Sequence, residues 1–305
     1  MIDRIITRLA EEGVLPSADP ERYLWACNNR ANINVLLFER AGGELRVFAK
    51  LSDKQDFGQV FERMRQVYRA GLEILPEPLS CFVVEDFSVL VTRAHRLRLL
   101  SDRRKLSRAQ QSTLLETVTR AITQLHAATR DGTLVLDYAY FRELAEDTAP
   151  RFFRQWADHA LEQKFRRHLA GLVERGAITS PRIPQHGDLV TFNTGLVEGR
   201  VEYPMIIDWD GYGESDLPSL DVTTFLLSFA GAYGLEFYGG GDYRGEFAGL
   251  IDSYCRGTGQ DPHYVRELIP LCLLYSVRRK LEVGEQAWQR QAYREMQAFF
   301  ATVEG

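Results

Sequence analysis

The chain has 305 residues, a formal net charge of −5, and 45% hydrophobic and 26% charged residues, which are the proportions of a globular protein. No region is basic enough for a nucleic-acid-binding surface, so we expect no nucleic-acid partner. The four cysteines form no C-x-x-C pair, which argues against a zinc site or a disulfide framework and suits a reducing compartment.

The first third of the chain has the pattern of a small antiparallel sheet with helices. Short apolar runs bounded by Gly, Asn and Pro predict strands, and apolar residues at helical spacing predict helices. In chain order we predict a helix at Asp3–Gly13, strands at Tyr23–Cys27, Ile33–Arg40 and Leu45–Leu51, a helix at Asp56–Ala70, and strands at Leu79–Val84 and Ser88–Thr92. Residues 20–93 are therefore expected to form five strands with one helix after the third.

From about Ser107 the pattern becomes helical. Further helices are predicted at Arg108–Ala128, Tyr138–Ala149, Arg151–Arg175, Leu220–Ala232, Phe247–Arg256, Pro262–Glu282 and Gln286–Thr302. We predict an α+β fold with two lobes, a β-rich lobe over residues 1–95 and a larger, mostly α-helical lobe over residues 96–305. A cleft between lobes is a common place for a ligand.

A polar motif interrupts the helical half at residues 186–193, which read His-Gly-Asp-Leu-Val-Thr-Phe-Asn. Its spacing, H-x-D-x-x-x-x-N, is that of the catalytic loop of kinases. A second cluster, Ile-Ile-Asp-Trp-Asp at residues 206–210, places Asp208 at the end of an apolar strand. Together the two motifs predict a candidate base, Asp188, and two candidate Mg²⁺ ligands, Asn193 and Asp208.

Two short strands connect these motifs. Thr194–Val197 and Val201–Ile207 flank a turn-like Glu-Gly-Arg and predict a β-hairpin. Because a hairpin brings the outer ends of its strands together, we expect Asn193 and Asp208 to lie side by side. Two oxygen ligands there would suit Mg²⁺, a hard cation that binds through a few protein oxygens and phosphate. Asp188 lies on the same loop, near enough to take a proton from a substrate hydroxyl.

A cation on the β-rich lobe is needed to neutralise phosphate charge. Lys50 ends the third predicted strand, in a chain with only 5 lysines against 32 arginines. Glu62 is the only Glu of the next helix and is the candidate partner that orients the Lys50 ammonium. A solvated Glu62 paired with a helix neighbour such as Arg65 is the alternative.

Other polar residues have less specific interpretations. No glycine-rich loop separates the first two strands; an Asn-rich segment stands there, and Asn32 is a candidate phosphate contact. His186 is interpreted as structural rather than as a general base, and His126 as a core histidine. Asp221 either caps the helix that begins near Val222 or supports the catalytic loop.

These motifs, with Leu217, Pro218 and Asp221 after them, resemble those of the aminoglycoside phosphotransferase/choline kinase-like family, the small-molecule branch of the protein-kinase-like fold. The resemblance implies ATP and Mg²⁺ as cofactors, with Asp188 as the catalytic base and Asn193 and Asp208 as metal ligands. It also implies that Lys50 contacts the ATP phosphates and that Glu62 is its partner.

The same resemblance implies that adenine is hydrogen-bonded by the backbone near Thr92, Arg93 and His95. His186, Asp210 and Asp221 are assigned supporting roles around the catalytic loop. The glycine-free loop departs from many members of the family.

The leading hypothesis is a kinase that moves the γ-phosphate of ATP to a hydroxyl of a small molecule, of the aminoglycoside, amino-alcohol or sugar type. A protein kinase is disfavoured because helical sequence resumes by about Leu220, which leaves no room for a long activation segment. Residues 181–260 hold 4 basic and 12 acidic side chains, so a cationic acceptor is one expectation. The candidate residues for binding it are the acids Glu214, Asp216, Asp242, Glu246 and Asp252 and the aromatic residues Tyr233, Phe237, Tyr238 and Tyr243, although a solvated acidic rim with core aromatics explains them at least as well.

Two alternatives stay open. The basic and aromatic segment Arg151–Arg167 suits a kinase for an envelope glycan or lipid-linked sugar, although an amphipathic packing helix is the favoured explanation of this segment. A nucleotide-binding pseudokinase with a regulatory role is the alternative from another class. The N-terminus has no signal-peptide core and no apolar run is long enough to span a membrane, so we expect a cytoplasmic protein. The sequence predicts neither the acceptor nor the oligomeric state.

Overall fold

The protein is described by a computed structural model over residues 1–19, 23–24, 27–29, 33–39, 44–102, 106–176, 178–235, 237, 244–283 and 286–303. The chain forms two compact units. The β-rich unit consists of Met1–Leu100 and Thr194–Tyr212, and the helical unit consists of Ser101–Asn193 and Gly213–Gly305.

In chain order the elements are α1 (Ile2–Glu11), β1 (Tyr23–Leu24), β2 (Cys27–Asn29), β3 (Ile33–Glu39), β4 (Glu44–Ser52), α2 (Gly58–Arg69), β5 (Pro78–Val84), β6 (Phe87–Arg93), β7 (Leu97–Leu99), α3 (Arg108–Thr129), β8 (Thr133–Leu136), α4 (Tyr138–Glu143), α5 (Ala149–Arg154), α6 (His159–Glu174), β9 (Ile178–Pro181), β10 (Thr194–Val197), β11 (Pro204–Ile206), α7 (Leu220–Tyr233), α8 (Arg244–Thr258), α9 (Pro262–Glu267), α10 (Ile269–Val283) and α11 (Gln286–Val303).

The β-rich unit is built on an antiparallel sheet with the strand order β1-β3-β4-β6-β5, and β2 also pairs with β3. One face of this sheet is covered by α1. The buried cluster joins α1 to β4, β5 and β6 through Ile5, Ile6, Leu9, Leu15, Val47, Ala49, Leu51, Val84, Val89 and Val91. Burial of this apolar surface holds the strand that carries Lys50 in a fixed register.

The helical unit confirms the predicted apolar face of α3, on which Leu114, Leu115, Val118, Ile122 and Leu125 are all buried. The helix begins at a capping box, in which the Ser107 hydroxyl accepts from the Gln110 N–H and the Gln110 side chain accepts from the Ser107 N–H. None of the helices in the described part of the chain combines the length and the apolar character needed to cross a membrane.

Predicted long helices in this unit are interrupted. The segment predicted as Arg151–Arg175 splits because Ala157 takes a left-handed φ of 50° and the Asp158 side chain caps α6 by accepting from the Leu161 N–H at 2.9 Å. The segment predicted as Pro262–Glu282 splits into α9 and α10. Pro270 has no N–H to continue a helix across this break.

The predicted hairpin is present as β10 and β11, with Thr194 opposite Ile206. Strand β10 also pairs with β7, a short strand that the sequence did not predict, and places Gly195 opposite Leu99. Because of this pairing the hairpin groups with the β-rich unit. This differs from the predicted lobes, which placed the hairpin within residues 96–305.

Candidate active site

The β-rich unit holds a lysine ammonium between two carboxylates. Lys50 lies near the end of β4, opposite Leu90 of β6, and is buried. Its Nζ lies 2.6 Å from Asp208 Oδ1 and 2.5 Å from Asp210 Oδ2. The structure therefore brings together three predicted site residues from two distant segments of the chain.

Electrostatics favour the charged form of Lys50. Burial alone would lower its pKa, but the charges of Asp208 and Asp210 and their hydrogen bonds raise the pKa of Lys50 above its ordinary value. Asp208 itself has a left-handed backbone, with φ of 66° and ψ of 57°. Such conformations cost energy for a residue with a side chain and cluster at functional sites.

The loop after β11 is anchored by its aromatic residues. The Trp209 indole N–H donates to the Ile206 carbonyl at 2.8 Å, and the Trp209 and Tyr212 rings meet edge to face with centroids 4.9 Å apart. Both rings are buried. The Arg63 guanidinium of α2 donates to the Tyr212 carbonyl. These contacts fix the backbone from which the Asp208 and Asp210 carboxylates project.

The predicted pairing of Lys50 with Glu62 is not what the structure shows. Glu62 is exposed on α2, and its Oε1 accepts from Arg65 Nη1 at 2.9 Å, one helical turn away. Within the described residues the ion pairs of Lys50 are with Asp208 and Asp210. The carboxylates that pair with Lys50 come from the loop after β11, because this loop brings Asp208 and Asp210 next to the Lys50 ammonium. Glu62 pairs instead with Arg65, a cation on its own helix.

The helical unit carries the catalytic-loop motif. Asn193 Nδ2 donates to the Asp188 carbonyl oxygen at 2.9 Å and to Asp188 Oδ2 at 3.2 Å. Both partners accept hydrogen bonds, so the amide must present its nitrogen to them and its oxygen faces the other way. Asn193 therefore orients the Asp188 carboxylate and presents an oxygen on its opposite side.

A buried aspartate fastens this loop to α7. Asp221 Oδ2 accepts from the His186 N–H at 2.6 Å, and Oδ1 accepts from the Gly187 N–H at 2.9 Å. His126 Nε2 lies 3.0 Å from Asp221 Oδ2. Of the two alternatives for Asp221, support of the catalytic loop is the arrangement observed. His186 is buried beside it and His126 is a core histidine with a polar partner.

Asp221 is ionised despite its full burial. Desolvation opposes its charge, but hydrogen bonding and charge interaction with His126, the charge of His186 and the His186 N–H outweigh that cost and lower the pKa of Asp221 below its ordinary value. An ionised carboxylate binds the loop N–H groups more strongly than a neutral one.

Tyr254 completes this network and was not predicted. Its hydroxyl lies 2.8 Å from His126 Nδ1, and burial, with a contribution from the Asp221 charge, raises the pKa of Tyr254 well above its ordinary value. Tyr254 lies on α8, 128 positions after His126, and no local pattern distinguishes it from the other tyrosines.

In the predicted adenine-binding segment, some backbone N–H groups are already hydrogen-bonded to other backbone carbonyls. The N–H of Arg93 donates to the Glu77 carbonyl at 2.8 Å, and that of Ala94 donates to the Arg46 carbonyl at 3.1 Å. Thr92 lies on β6 within the sheet. His95 is half-buried, and burial, together with the charge of Arg93, lowers the pKa of its imidazole. Two backbone N–H groups of this segment are therefore already used within the β-rich unit.

The acceptor-related predictions have mixed outcomes. Asn32, Tyr238, Asp242 and Tyr243 lie outside the described residues. Three acidic residues named for a cationic acceptor are paired with arginines: Asp216 with Arg182, Glu246 with Arg108 and Asp252 with Arg266. The aromatic residues Phe152, Phe153 and Phe165 of the basic segment are buried, so that segment packs as an amphipathic pair of helices.

The predicted metal ligands have the donor atoms that suit Mg²⁺. The Asp208 carboxylate is exposed, and the Asn193 amide oxygen faces away from Asp188, so both groups offer oxygen, the ligand atom that Mg²⁺ prefers. Within the described residues there is no cluster of three or more His, Cys, Asp or Glu side chains that could hold a metal ion. Each residue by itself therefore offers an oxygen donor of the kind that Mg²⁺ binds together with phosphate oxygens and waters.

Comparisons with known proteins give the same fold. A model of the phosphotransferase enzyme family, APH, matches residues 29–268. The solved structure of aminoglycoside phosphotransferase APH(4)-Ia is 16% identical, with 99% of each chain covered and a TM-score of 0.58. A thermostable mutant of the same enzyme, in a ternary complex with AMP-PNP and hygromycin B, is 15% identical, with 97% of each chain covered and a TM-score of 0.57.

A third structure, aminoglycoside phosphotransferase APH(3'')-Id from Streptomyces rimosus in complex with ADP and streptomycin, is 16% identical. The match covers 88% of this chain and 98% of that chain, with a TM-score of 0.51. No curated protein sequence matches the chain. The predicted α+β, kinase-like fold is therefore confirmed.

Proposed function

Because the chain belongs to the phosphotransferase enzyme family, we propose that it transfers the γ-phosphate of ATP to a hydroxyl group of a small molecule. The observation that carries the proposal is the hydrogen bond from Asn193 to the Asp188 carboxylate, which supports Asp188 as the catalytic base. The related structures bound to AMP-PNP or ADP support a nucleotide as the phosphate donor.

Asp188 is the proposed base. Its carboxylate takes the proton of the acceptor hydroxyl as the oxygen attacks the phosphate. Asn193 holds the carboxylate in place through its amide nitrogen, and the Asp221 carboxylate holds the backbone of the same loop. The loop is therefore positioned before any substrate binds, which lowers the cost of reaching the reactive geometry.

Asn193 and Asp208 are the proposed Mg²⁺ ligands, and Lys50 is the proposed phosphate contact. When bound, Mg²⁺ supplies positive charge that offsets the charge developing on the phosphate oxygens. Lys50 offers an ammonium that its neighbours keep protonated. Thr92, Arg93 and His95 remain the proposed adenine-binding segment, and Asp210 is the proposed anchor of Lys50.

Three acceptor classes are proposed for this site: aminoglycosides, amino alcohols and sugars. The complexes of relatives with hygromycin B and streptomycin support an aminoglycoside or another hydroxyl compound of small size. Burial of Phe152, Phe153 and Phe165 in the Arg151–Arg167 segment gives no support to an envelope glycan as the acceptor. A pseudokinase is disfavoured by the presence of Lys50, Asp188 and Asn193 together.

Asp188→Asn tests the proposal. The purified protein is incubated with ATP, Mg²⁺ and a panel of sugars, amino sugars and amino alcohols, and phosphate transfer is followed. We expect the variant to lose roughly 10²- to 10⁴-fold in kcat while its affinity for ATP is kept. Asp131→Asn, at an exposed acid in the same unit, is the matched control.

An unchanged kcat in Asp188→Asn would reject Asp188 as the base. Retained ATP binding with no transfer to any acceptor, in both the wild type and the control, would favour the pseudokinase alternative.

A further inference from the structure

The helical unit contains a cavity of about 800 Å³ beside the catalytic loop. Residues 190–192 of the loop form one wall, the second half of α7 and the residues after it form another, and α11 forms the third. The volume lies within the range of small-molecule binding sites.

The cavity wall is continuous with the segment that carries the proposed base. Val190 follows Asp188 by two residues, so their Cα atoms are within about 7.6 Å of each other. The next residue, Thr191, makes two hydrogen bonds to Ser228. Its N–H donates to Ser228 Oγ at 3.0 Å, and the two hydroxyl oxygens are hydrogen-bonded at 2.9 Å. A ligand in the cavity therefore lies against a rigid part of the catalytic loop.

Small residues create the space. On α11, Ala287 and Ala298 line the cavity at the two ends of one helical stripe, and Gly231 and Ala232 line it from α7. Gln291 Nε2 donates to the Leu227 carbonyl at 2.6 Å and holds α11 against α7. The cavity is thus bounded by α7 and α11, which are held together by this hydrogen bond.

The charged residues in this wall are mainly cationic. Among the described residues, the charged side chains that line the cavity are Arg290, Arg294 and Glu295, which sum to +1. Arg290 and Arg294 are one turn apart on α11, so they share a face. Glu295 is buried, and its Oε1 accepts from the Phe237 N–H at 3.2 Å. Its carboxylate thereby holds a neighbouring segment.

Aromatic groups stand beside these cations. Phe192 is 65% exposed, although its loop neighbours Val190 and Thr191 are buried. Trp288 is half-buried in the same wall, and its indole N–H donates to Ser276 Oγ at 3.2 Å. An exposed phenyl ring in a catalytic loop is available to cover the apolar face of a sugar or another ring.

We propose that this cavity binds the acceptor, and that the acceptor carries an anionic group, a phosphate or a carboxylate, which Arg290 and Arg294 recognise. Arginine binds both anions through paired N–H donors. The inference rests on the proposed phosphotransfer and narrows it to anionic hydroxyl compounds, in contrast to the aminoglycosides of the related complexes. The acids Asp216, Glu246 and Asp252 do not line this cavity, and each of them is paired with an arginine elsewhere.

The test uses four rings that differ in charge: glucose, glucosamine, glucuronate and glucose 6-phosphate. With the full-length protein, ATP and Mg²⁺, we expect the two anionic sugars to bind at least ~10-fold more tightly than glucosamine, as measured by titration calorimetry, and to be the preferred acceptors. The preferred anion, sugar phosphate or sugar carboxylate, identifies the source of the charge.

Substitution of the arginines gives the second arm. Arg290→Gln and Arg294→Gln are each expected to raise the KM for the anionic sugar at least ~10-fold and to leave the KM for ATP unchanged. Arg167→Gln, at an exposed arginine of α6 that does not line the cavity, is the matched control and should change neither constant.

Tighter binding of glucosamine than of either anion, or equal binding of all four sugars, would overturn the inference, even where none is phosphorylated. An unchanged KM in both arginine variants would do the same. Phosphotransfer is judged separately, from ATP turnover that depends on Asp188. A protein that binds the anions through Arg290 and Arg294 without such turnover would refute the proposed function, not the anion site.

Discussion

Lys50 shows how a single buried cation shapes its surroundings. Its ammonium offsets the repulsion between two carboxylates that lie near each other on the same loop. Asp208 can change partner at little cost, since its side chain is 45% exposed, whereas Asp210 is mostly buried beside it at 22%. We therefore expect Asp208 to turn to a metal ion while Asp210 keeps Lys50 in place.

Lys50→Met tests this arrangement at the residue scale. Methionine keeps the apolar stem and removes the charge, so Asp208 and Asp210 lose their counter-ion. We expect the KM for ATP to rise at least ~10-fold and the free energy of unfolding to fall by about 1 to 2 kcal/mol, a modest loss because Asp208 is well solvated. Urea unfolding and steady-state kinetics measure the two effects. Lys54→Met, at an exposed neighbour, should leave both unchanged.

Asp221 makes the catalytic loop sensitive to acid. Its folded-state pKa lies below the ordinary value of 3.8, so the unfolded chain binds the proton more readily. The stabilisation is complete above that value and is lost as the pH falls through the folded-state pKa. Asp221→Asn should lower the free energy of unfolding by about 3 kcal/mol at neutral pH.

The difference between wild type and Asp221→Asn should shrink as the pH falls below about 4. Urea midpoints across the acid range measure it, with Asp131→Asn as the exposed control. A difference that stayed constant down to the lowest pH would show that the Asp221 charge is not what fastens the loop.

Residues close in sequence were the easier ones to predict. Asp188 and Asn193 share one loop, so the motif spacing singled out both residues, although it did not predict the hydrogen bond between them. The pairing of Lys50 with Asp208 was missed because the two residues are 158 positions apart. Glu62, the acid on the next helix, was predicted as the partner instead. Local sequence does not show whether Glu62 pairs with Arg65 or with Lys50, since a helix-surface carboxylate can pair with either cation.

At the element scale, apolar periodicity predicted where helices exist better than where they end. α3 was predicted almost to the residue from the helical spacing of its apolar residues, and the structure shows a capping box at its start. The break between α5 and α6 was missed, since Ala157 is a strong helix former that the fold holds in a left-handed conformation. Strand β7 was missed because three residues carry too little pattern to identify a strand.

Ala157→Gly tests whether that break is strained. A side chain at φ of 50° costs roughly 1 to 2 kcal/mol, and glycine removes this cost but makes the unfolded chain more flexible. We expect a net gain of up to about 1 kcal/mol in the free energy of unfolding, measured by urea denaturation. Ala170→Gly, inside α6, should lose about 0.5 to 1 kcal/mol. The same sign for both variants would contradict the strain.

At the scale of the whole molecule, nucleotide binding should increase the free energy of unfolding and therefore raise Tm. A ligand that binds only the folded chain adds about 2.7 kcal/mol at a concentration 100 times its Kd. We expect a nonhydrolysable ATP analogue with Mg²⁺ to raise Tm, and EDTA to remove the Mg²⁺-dependent part. Asp208→Asn should lose that part and Asp188→Asn should keep it, as thermal denaturation would show. Equal shifts in the two variants would reject Asp208 as a metal ligand.

The architecture as a whole was predictable because the β-rich pattern precedes the helical one in the chain. The division into units was less so. Pairing of β7 with β10 depends on backbone hydrogen bonds between segments about a hundred residues apart, and their side chains carry no signal of it. Strands β8 and β9 form another such pair, which the sequence left unassigned.

The pairing of β7 with β10 has a consequence for how such a protein can evolve. The chain passes from one unit to the other after Leu100, Asn193 and Tyr212, so neither unit is a continuous stretch of the gene. Recombination that exchanged the first hundred codons between distant relatives would join one parent's β7 to the other's β10. The two units are therefore expected to be inherited together. We expect changes in acceptor specificity to arise by point substitution, for example on α11, rather than by exchange of whole units between genes.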